Sequence, residues 1–226
     1  MQNIEKISVI ICVNDDRKFA ECALYLEQQE LPAKYALEIV AIEGAESIFA
    51  GYEYGRQQKH THYMIYMHQD VYLTNKKCIA EMIELFEENP EIGMQGLVGS
   101  VDLPVNGIWW EANKDSRYGS VVQGGAVPEY IEQIAGAPIS KPYQEVKVID
   151  GLFMMTRADI PWRNDLFNSW HFYDISQSME YIKQGYKIVV PYAESPWAFH
   201  DAGRVYIEHD DSYEKSRKIF LREYRM

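Results

Sequence analysis

Short apolar runs alternate with amphipathic segments along the first hundred residues of the chain. Continuous apolar runs such as 7–13 are typical of parallel strands that are buried on both faces, and the segments between them repeat apolar residues at helical spacing. The strands are expected at 7–13, 37–42 and 63–67, and the helices at 17–29, 47–58 and 75–88, with Thr74 or Asn75 as the cap of the third helix. This order predicts an α/β fold: an open, mostly parallel central sheet with helices on both faces.

The pattern becomes irregular after residue 92. Short strands are expected at 93–101 and 146–149, with a long loop or small excursion at 107–142 between them. That segment contains Trp109 and Trp110. The ring of each would either stack on a sugar or pack in the core, and the sequence favours neither role strongly. Regular secondary structure is predicted again after this segment: a strand at 150–156, a helix that begins at Asp174 and ends at Gly185, and a strand at 186–191.

Size and charge narrow the classes of function. A chain of 226 residues with 47% hydrophobic content is long enough to bury a core as one domain. The formal net charge of −12 argues against a nucleic-acid-binding protein, because such a surface needs clustered basic residues. A phosphate ligand would therefore be neutralised locally, by a metal ion or a helix N-terminus.

The cysteines and the apolar segments predict a soluble, cytoplasmic protein. Cys12, Cys22 and Cys78 are odd in number and lack the C-x-x-C spacing of a zinc or redox site. The first apolar run is too short for the core of a signal peptide, and no stretch approaches the roughly 20 apolar residues of a transmembrane helix. Peripheral contact with a membrane stays open.

Polar residues follow each of the first three predicted strands, and ligands bind at the carboxyl ends of strands in open α/β sheets. These strand ends are Asn14-Asp15-Asp16, Glu43-Gly44 and His68-Gln69-Asp70. Residues two apart in a strand point to the same side, so His68 and Asp70 would hold one divalent cation while Gln69 faces away. The alternative is a polar strand-to-loop turn without a ligand.

Two further residues in the second half of the chain are candidates for chemistry. Asp174 lies in the first turn of a predicted helix, where the helix dipole favours its negative charge. It is either a functional carboxylate or simply the N-cap. His200 follows an aromatic run and is either a metal ligand or a structural histidine.

Five short motifs, taken in order, resemble those of the family-two glycosyltransferases. They are Ser8-Val-Ile-Ile-Cys-Val-Asn14, Ile39-Val-Ala-Ile-Glu43-Gly44, Met67-His-Gln-Asp-Val71, Asp150-Gly151, and Phe172-Tyr-Asp174 continuing to Gly185-Tyr186. The resemblance covers most of the chain. It is greatest to the branch that has His-Gln-Asp in place of Asp-x-Asp and Trp-His-Phe-Tyr-Asp later in the sequence.

The resemblance implies a GT-A fold and transfer of a sugar from a nucleotide-sugar donor, a UDP- or GDP-sugar, to a glycan or a lipid-linked acceptor. It implies one glycosyltransferase domain, 1–226, with a nucleotide-binding half at 1–100 and an acceptor-binding half at 101–226 that includes a C-terminal helix. Asn14, Asp16 and Glu43 would bind the nucleotide, since carboxylate and amide oxygens accept hydrogen bonds from N–H and hydroxyl groups.

The same resemblance implies the catalytic groups. Asp70 matches the metal-binding aspartate, and His68 and His200 are expected to share the cation, which would be Mn²⁺ or Mg²⁺, with the imidazoles favouring Mn²⁺. Asp174 matches the general base of inverting members. The residues expected to contact donor or acceptor sugar are Asp150, Gly151, Trp170 and His171.

The chain also departs from the family pattern. His68 replaces the first acid of Asp-x-Asp, Tyr173 replaces the glutamate before the catalytic aspartate, and Glu53 precedes Gly55 where an asparagine is usual. These departures leave open a catalytically silent module that binds sugar nucleotides or glycans. A nucleotidyltransferase is disfavoured, because no Gly-rich loop with a following Lys or Arg is present to hold a triphosphate.

The segment 213–225 is locally basic in an acidic protein. It would either rest on an anionic membrane that carries a lipid-linked acceptor or pack on its own domain, and the second is the more common arrangement.

Overall fold

The computed structural model describes residues 4–59, 61–125, 131–140, 142–202 and 210–224. The strands are β1 (Glu5–Val13), β2 (Tyr35–Glu43), β3 (Tyr63–Met67), β4 (Val71–Leu73), β5 (Ile92–Gly96), β6 (Val98–Ser100), β7 (Arg117–Gly124), β8 (Ile131–Ala135), β9 (Tyr143–Val146), β10 (Val148–Ile149), β11 (Phe153–Thr156), β12 (Lys187–Pro191) and β13 (Ala198–His200). The α-helices are α1 (Asp16–Glu27), α2 (Ile48–Gln58), α3 (Cys78–Glu88), α4 (Tyr173–Lys183) and α5 (Asp211–Tyr224).

A seven-stranded sheet in the order β2-β1-β3-β11-β5-β12-β9 forms the centre of the fold. Strand β1 is parallel to both of its neighbours, β2 and β3, and β12 is parallel to β5. Strands β11 and β9 run antiparallel to their neighbours. The sheet is thus mixed, with three parallel and three antiparallel pairings, although five of its seven strands run in the same direction. Ile7, Val9, Ile10 and Ile11 are fully buried, which explains why β1 lacks alternating polar residues.

A smaller sheet corrects the prediction of a long loop at 107–142. Its order is β10-β6-β7-β13-β4, and β8 pairs with β7 as a hairpin strand. Gly119 in β7 has a φ of 85°, and a Cβ there would lie 2.0 Å from the carbonyl oxygen of Leu97. Glycine is thus required by close strand packing, although in the sequence it resembles a loop residue.

Several element boundaries also differ from the sequence prediction. Helix α3 begins at Cys78, because Asn75 forms a preceding turn in which its side chain accepts a hydrogen bond from the Lys77 amide at 2.9 Å. Helix α1 begins one residue early at Asp16, capped by Asp15. The predicted strands at 93–101 and 146–149 are each divided into two short strands, and β11 begins at Phe153, after a turn that contains Asp150 and Gly151.

The C-terminal helix α5 packs on its own domain. Tyr213, Ser216 and Phe220 are buried, and Arg163 joins α5 to α4 by contacting Glu223 at 3.1 Å and Glu180 at 3.2 Å. Across the described ranges, every helix is too short or too polar to cross a bilayer.

Candidate functional site

The ends of β1 and β3 are joined by one side chain. The Gln69 Oε1 atom accepts hydrogen bonds from the backbone amides of Asn14 and Asp15, each at 2.9 Å, and the Gln69 amide group donates to Asn14 Oδ1. Gln69 is therefore directed towards the β1 end, and its role as a link between the strand ends was not predicted from the sequence.

His68, Asp70 and His200, the three predicted metal ligands, lie together. Residues 68–70 form a turn between β3 and β4. The prediction that His68 and Asp70 point to the same side of a strand therefore does not apply to them. Instead, β13 pairs antiparallel with β4 and brings His200 beside the turn. The His200 Nε2 atom lies 3.5 Å from Asp70 Oδ1, and one ligand atom from each of the three residues lies within 4.8 Å of the others.

The protonation states of these residues suit a metal. Burial raises the pKa of Asp70, but its hydrogen bond to His200 and the positive charges of its neighbours outweigh burial and set that pKa at about 2. Burial, reinforced by the charge of His200, lowers the pKa of His68. An ionised carboxylate and a neutral imidazole are the forms that bind cations. Two imidazoles with one carboxylate suit a divalent first-row transition ion, a class that includes Mn²⁺, better than Mg²⁺, which prefers oxygen ligands.

Lys18 and Asp201 complete the charged surroundings of Asp70, and neither was predicted. The Lys18 Nζ atom lies 3.4 Å from Asp70 Oδ2 and 3.7 Å from Asp201 Oδ2, and it donates a hydrogen bond to the carbonyl oxygen of Asp201. The Asp201 amide donates to the Asp70 carbonyl oxygen at 2.8 Å. No sequence motif marks this pair, because the contacts join α1 to the residue after β13.

A cavity of about 280 Å³ opens at these strand ends, and we call it the strand-end cavity. Its lining residues are Cys12, Val13, Asn14, Ile48, Tyr52, Met67, His68, Gln69, Asp70, Trp170 and Tyr173. Asp16 and Glu43, both in the described part of the chain, are exposed and lie outside this lining. Glu43 is nevertheless the last residue of β2 and is in register with Val13, so it lies at the same edge of the sheet.

Tyr173, which the sequence resemblance aligns with a glutamate, contacts His68. Its hydroxyl oxygen is within hydrogen-bonding distance of His68 Nε2. A Cβ at Gly151 would lie 2.2 Å from that hydroxyl oxygen, so glycine at 151 leaves room for the tyrosine. His68 and Tyr173, two of the positions at which this chain departs from the family pattern, therefore contact each other.

A second, smaller cavity of about 110 Å³ adjoins the first, and we call it the aromatic cavity. Its lining residues are Trp109, Trp110, Trp170, His171, Phe172, Tyr173, Asp174, Ile175 and Tyr213. Trp170, which is 47% exposed, and Tyr173 line both cavities. Both tryptophans at 109–110 therefore border this cavity, although Trp109 is also part of the core.

Asp174 lies within the first turn of α4 and is not its N-cap. The cap position is Phe172, which has a φ of 65° and packs against Tyr213 and Phe220. Burial and the nearby negative charge of Asp150 together raise the pKa of Asp174 to about 7, although its carboxylate accepts a hydrogen bond from the Ile175 amide at 2.9 Å. A carboxylate with this pKa is suited to proton transfer near neutral pH.

Two predicted site residues, Asp150 and His171, and one departure from the family pattern, Glu53, have structural contacts. The Asp150 carboxylate accepts a hydrogen bond from the Leu152 amide at 2.8 Å. His171 lies 4.0 Å from Asp210, and burial lowers its pKa while Asp210 opposes the shift. The Glu53 carboxylate accepts hydrogen bonds from Arg56, Gln57 and the Trp162 amide, which is a structural role.

Three solved structures share this fold at low sequence identity. Staphylococcus aureus TarS (residues 1–349), in complex with UDP-GlcNAc, is 13% identical with a TM-score of 0.58, and the match covers 96% of this chain and 66% of that one. The mannosyltransferase PcManGT from Pyrobaculum calidifontis, in complex with GDP-Man and Mn²⁺, is 10% identical with a TM-score of 0.60, and the match covers 99% of this chain and 65% of that one. GalNAc-T7, with UDP, GalNAc and Mn²⁺, is 11% identical with a TM-score of 0.54, and the match covers 88% of this chain and 44% of that one.

These likenesses confirm the predicted α/β fold of GT-A type, and this chain spans about two thirds or less of the length of each of the three proteins. A comparison with curated proteins finds no match. The sequence model described as "Glycosyltransferase like family" matches residues 8–224, which include both cavities and the His68, Asp70 and His200 cluster. The chain therefore belongs to the glycosyltransferase-like family.

Proposed function

We propose that this protein is an inverting, metal-assisted glycosyltransferase of the His-Gln-Asp branch, which transfers a sugar from a UDP- or GDP-sugar to a glycan or lipid-linked acceptor. One observation supports this most strongly. The strand-end cavity, with His68 and Asp70, meets the aromatic cavity, with Asp174, at the shared residues Trp170 and Tyr173. A donor in the first cavity would therefore present its reacting carbon towards a base in the second.

The nucleotide would bind at the strand-end cavity, whose lining comes mainly from the 1–100 half of the chain. Asn14 lines this cavity, and Asp16 and Glu43 are exposed at the same edge, where their carboxylates would accept hydrogen bonds from ribose hydroxyls or base N–H groups. His68, Asp70 and His200 would hold Mn²⁺ or Mg²⁺, and such a cation stabilises the negative charge of a leaving diphosphate.

Asp174 would act as the general base. The acceptor hydroxyl oxygen would form a bond to the anomeric carbon as the bond from that carbon to the diphosphate breaks, and the hydroxyl proton would pass to the Asp174 carboxylate. One carboxylate is sufficient for a single displacement with inversion. Trp170 and His171, with the residues of the 101–226 half, would hold the acceptor, and Asp150 would keep the pKa of Asp174 high.

Calorimetry with UDP and GDP, each with and without Mn²⁺, tests the donor site. We expect one nucleotide to bind more tightly with Mn²⁺ than without it. This gain should be lost in Asp70→Ala and retained in Asp102→Asn, an exposed aspartate outside both cavities. A transfer assay with the preferred nucleotide's sugars over a panel of acceptors then tests activity. Absence of nucleotide binding under all conditions would contradict the proposal.

A second candidate, a catalytically silent binding module, is supported by the His68–Tyr173 contact, since both residues replace acids of the family pattern. It predicts tight nucleotide binding without turnover on any acceptor. Measurable sugar transfer would exclude it.

A lipid-linked acceptor would place the protein at the cytoplasmic face of a membrane. Lys215, Lys218 and Arg222 are exposed on one face of α5 and would contact anionic headgroups. Flotation with anionic vesicles should weaken when all three are changed to Gln, and unchanged flotation would count against membrane contact by this face.

A further inference from the structure

Lys18 is the cation that contacts Asp70 most directly, and it was not part of the predicted site. We propose that the Lys18 ammonium group is a resident cation of the diphosphate site, which competes with the divalent metal for Asp70 and takes the place of the metal when none is bound. This inference rests on the proposed function, because it assigns a role to a residue beside the proposed metal ligands.

The contacts of Lys18 are those of a cation held between two carboxylates. Its Nζ atom lies 3.4 Å from Asp70 Oδ2 and 3.7 Å from Asp201 Oδ2, and it also donates to the Asp201 carbonyl oxygen. The exposed fractions of the three side chains are 21%, 19% and 11% for Lys18, Asp70 and Asp201. At this burial, solvent weakens charge–charge interactions less than it does on an open surface.

The position of Lys18 is fixed by the same contacts that join the strand ends. Its backbone amide donates to Asp15 Oδ1 at 3.0 Å as part of the α1 cap, and the Asp15 amide donates to Gln69, the residue between His68 and Asp70. The Lys18 side chain therefore extends from a helix start that is hydrogen-bonded directly to the proposed metal-binding turn.

Lys18 and the metal would need the same carboxylate. Asp70 Oδ2 is directed towards Lys18, and Asp70 Oδ1 is directed towards His200. A divalent cation bound by Asp70 and the two histidines would face a like charge only a few ångströms away, or would have to displace it. In both cases the ammonium group lowers metal affinity. Its removal leaves Asp70 and Asp201 with less compensating positive charge, namely His200 at 3.5 Å from Asp70 and Arg17 at 3.9 Å from Asp201, and so strengthens their attraction for a cation.

Without metal, the Lys18 ammonium group would be the more buried of two positive charges available to a diphosphate at this end of the sheet. The other is the exposed guanidinium of Arg17, which lies 3.9 Å from Asp201 Oδ2. Replacing Lys18 should therefore have effects of opposite sign on two ligands. The affinity for metal alone should rise, whereas the affinity for a nucleoside diphosphate in the absence of metal should fall. A lysine with a purely structural role would weaken both or neither.

The experiment is calorimetric titration of Mn²⁺ alone, and of UDP and GDP in EDTA, into wild-type protein and variants. We expect Lys18→Met to bind Mn²⁺ about tenfold more tightly than wild type, and to bind the preferred nucleotide several-fold more weakly in EDTA. Lys18→Arg keeps the positive charge and should resemble wild type. Lys34→Met is the matched control, because Lys34 pairs with a carboxylate, Glu87 at 2.8 Å, on the exposed surface.

The outcomes separate this inference from the proposed function. Equal or weaker Mn²⁺ affinity in a folded Lys18→Met protein, with binding still abolished by Asp70→Ala, would overturn the role of Lys18 and leave the metal site standing. Absence of Mn²⁺ binding in both wild type and Lys18→Met would overturn the metal site and the competition together. Binding by Lys18→Met alone would support the competition in its strongest form. Thermal melting of each variant checks that it is folded.

Discussion

Asp70 lines the strand-end cavity and Asp174 lines the aromatic cavity, and the two carboxylates differ in charge environment. Asp70 is surrounded by His200, His68 and Lys18, and its pKa is about 2. Asp174 lies in a cavity lined largely by aromatic side chains, and burial, with a further contribution from the charge of Asp150, raises its pKa to about 7. Burial raises the pKa of both carboxylates. At Asp70 the hydrogen bond and positive charges of its neighbours outweigh it, whereas at Asp174 the negative charge of Asp150 adds to it.

This difference assigns a separate role to each carboxylate. A group that stays ionised at all physiological pH values is suited to hold a cation, whereas a group that titrates near neutrality is suited to accept a proton. Each carboxylate can be changed without altering the other cavity, because Trp170 and Tyr173 are the lining residues that the two cavities have in common.

Asp174→Asn is expected to give the largest effect. If Asp174 is the base, the turnover number should fall by about 10²–10⁴-fold, since an amide cannot accept the proton. Nucleotide affinity should stay within about twofold of wild type, because Asp174 does not line the strand-end cavity. Steady-state kinetics and UDP or GDP calorimetry check both values, with Asp102→Asn as the control. A wild-type rate in Asp174→Asn would remove Asp174 from the mechanism.

Tyr173→Phe is expected to act mainly on the metal side. Loss of the hydroxyl removes the contact that orients His68, and removing such a partner typically lowers metal affinity by about 10–100-fold. Tyr52→Phe is the matched control, because its hydroxyl instead donates to the Met67 carbonyl oxygen at 3.2 Å. Mn²⁺ titration distinguishes the two variants. Equal Mn²⁺ affinity in wild type and Tyr173→Phe would show that His68 is positioned without the tyrosine.

The core of the fold was predictable from the sequence because it depends on local patterns. Continuous apolar runs identified β1 and β3, and helical periodicity identified α2 and α4, with boundaries within a residue or two. The smaller sheet was missed, because it depends on β13, which is distant in sequence from β7, as well as on the short strands β6 and β8. In addition, Gly119 in β7 allows close packing rather than a turn. Pairing between distant short strands leaves little local signal.

The candidate site was predictable where a motif carried it. His68, Asp70 and His200 were named and lie together, and Asp174 lies in the first turn of its helix as expected. Lys18 and Asp201 were missed, since their contacts depend on how α1 and β13 come together in three dimensions. The pairing of His68 with Tyr173 was likewise invisible, because the sequence shows two separate departures from the family pattern.

Asp150→Asn should move the pH dependence of transfer without abolishing it. Asp150 raises the pKa of Asp174, so removing its charge should lower that pKa. In wild type, a base with a pKa of about 7 gives a rate that rises with pH through neutrality. In Asp150→Asn this rising limb should lie at lower pH. A pH profile of kcat/KM checks the direction, and an unmoved limb would mean that burial alone sets the pKa.

Asp174→Asn should also change stability, by the smallest of these effects. Because the folded-state pKa of Asp174 is raised above the unfolded value, the folded protein holds this proton more tightly, and the contribution to stability is lost as pH rises from about 4 to about 7. At pH 8 the wild type retains a partly buried charge that asparagine lacks. The variant should therefore melt a few degrees higher at pH 8, at about 2–4 °C per kcal/mol for a chain of this size, and the gap should close as the pH is lowered towards 4. Thermal melts of both proteins across this range decide the matter, and a pH-independent gap would indicate that the substitution acts through packing instead of through the Asp174 charge.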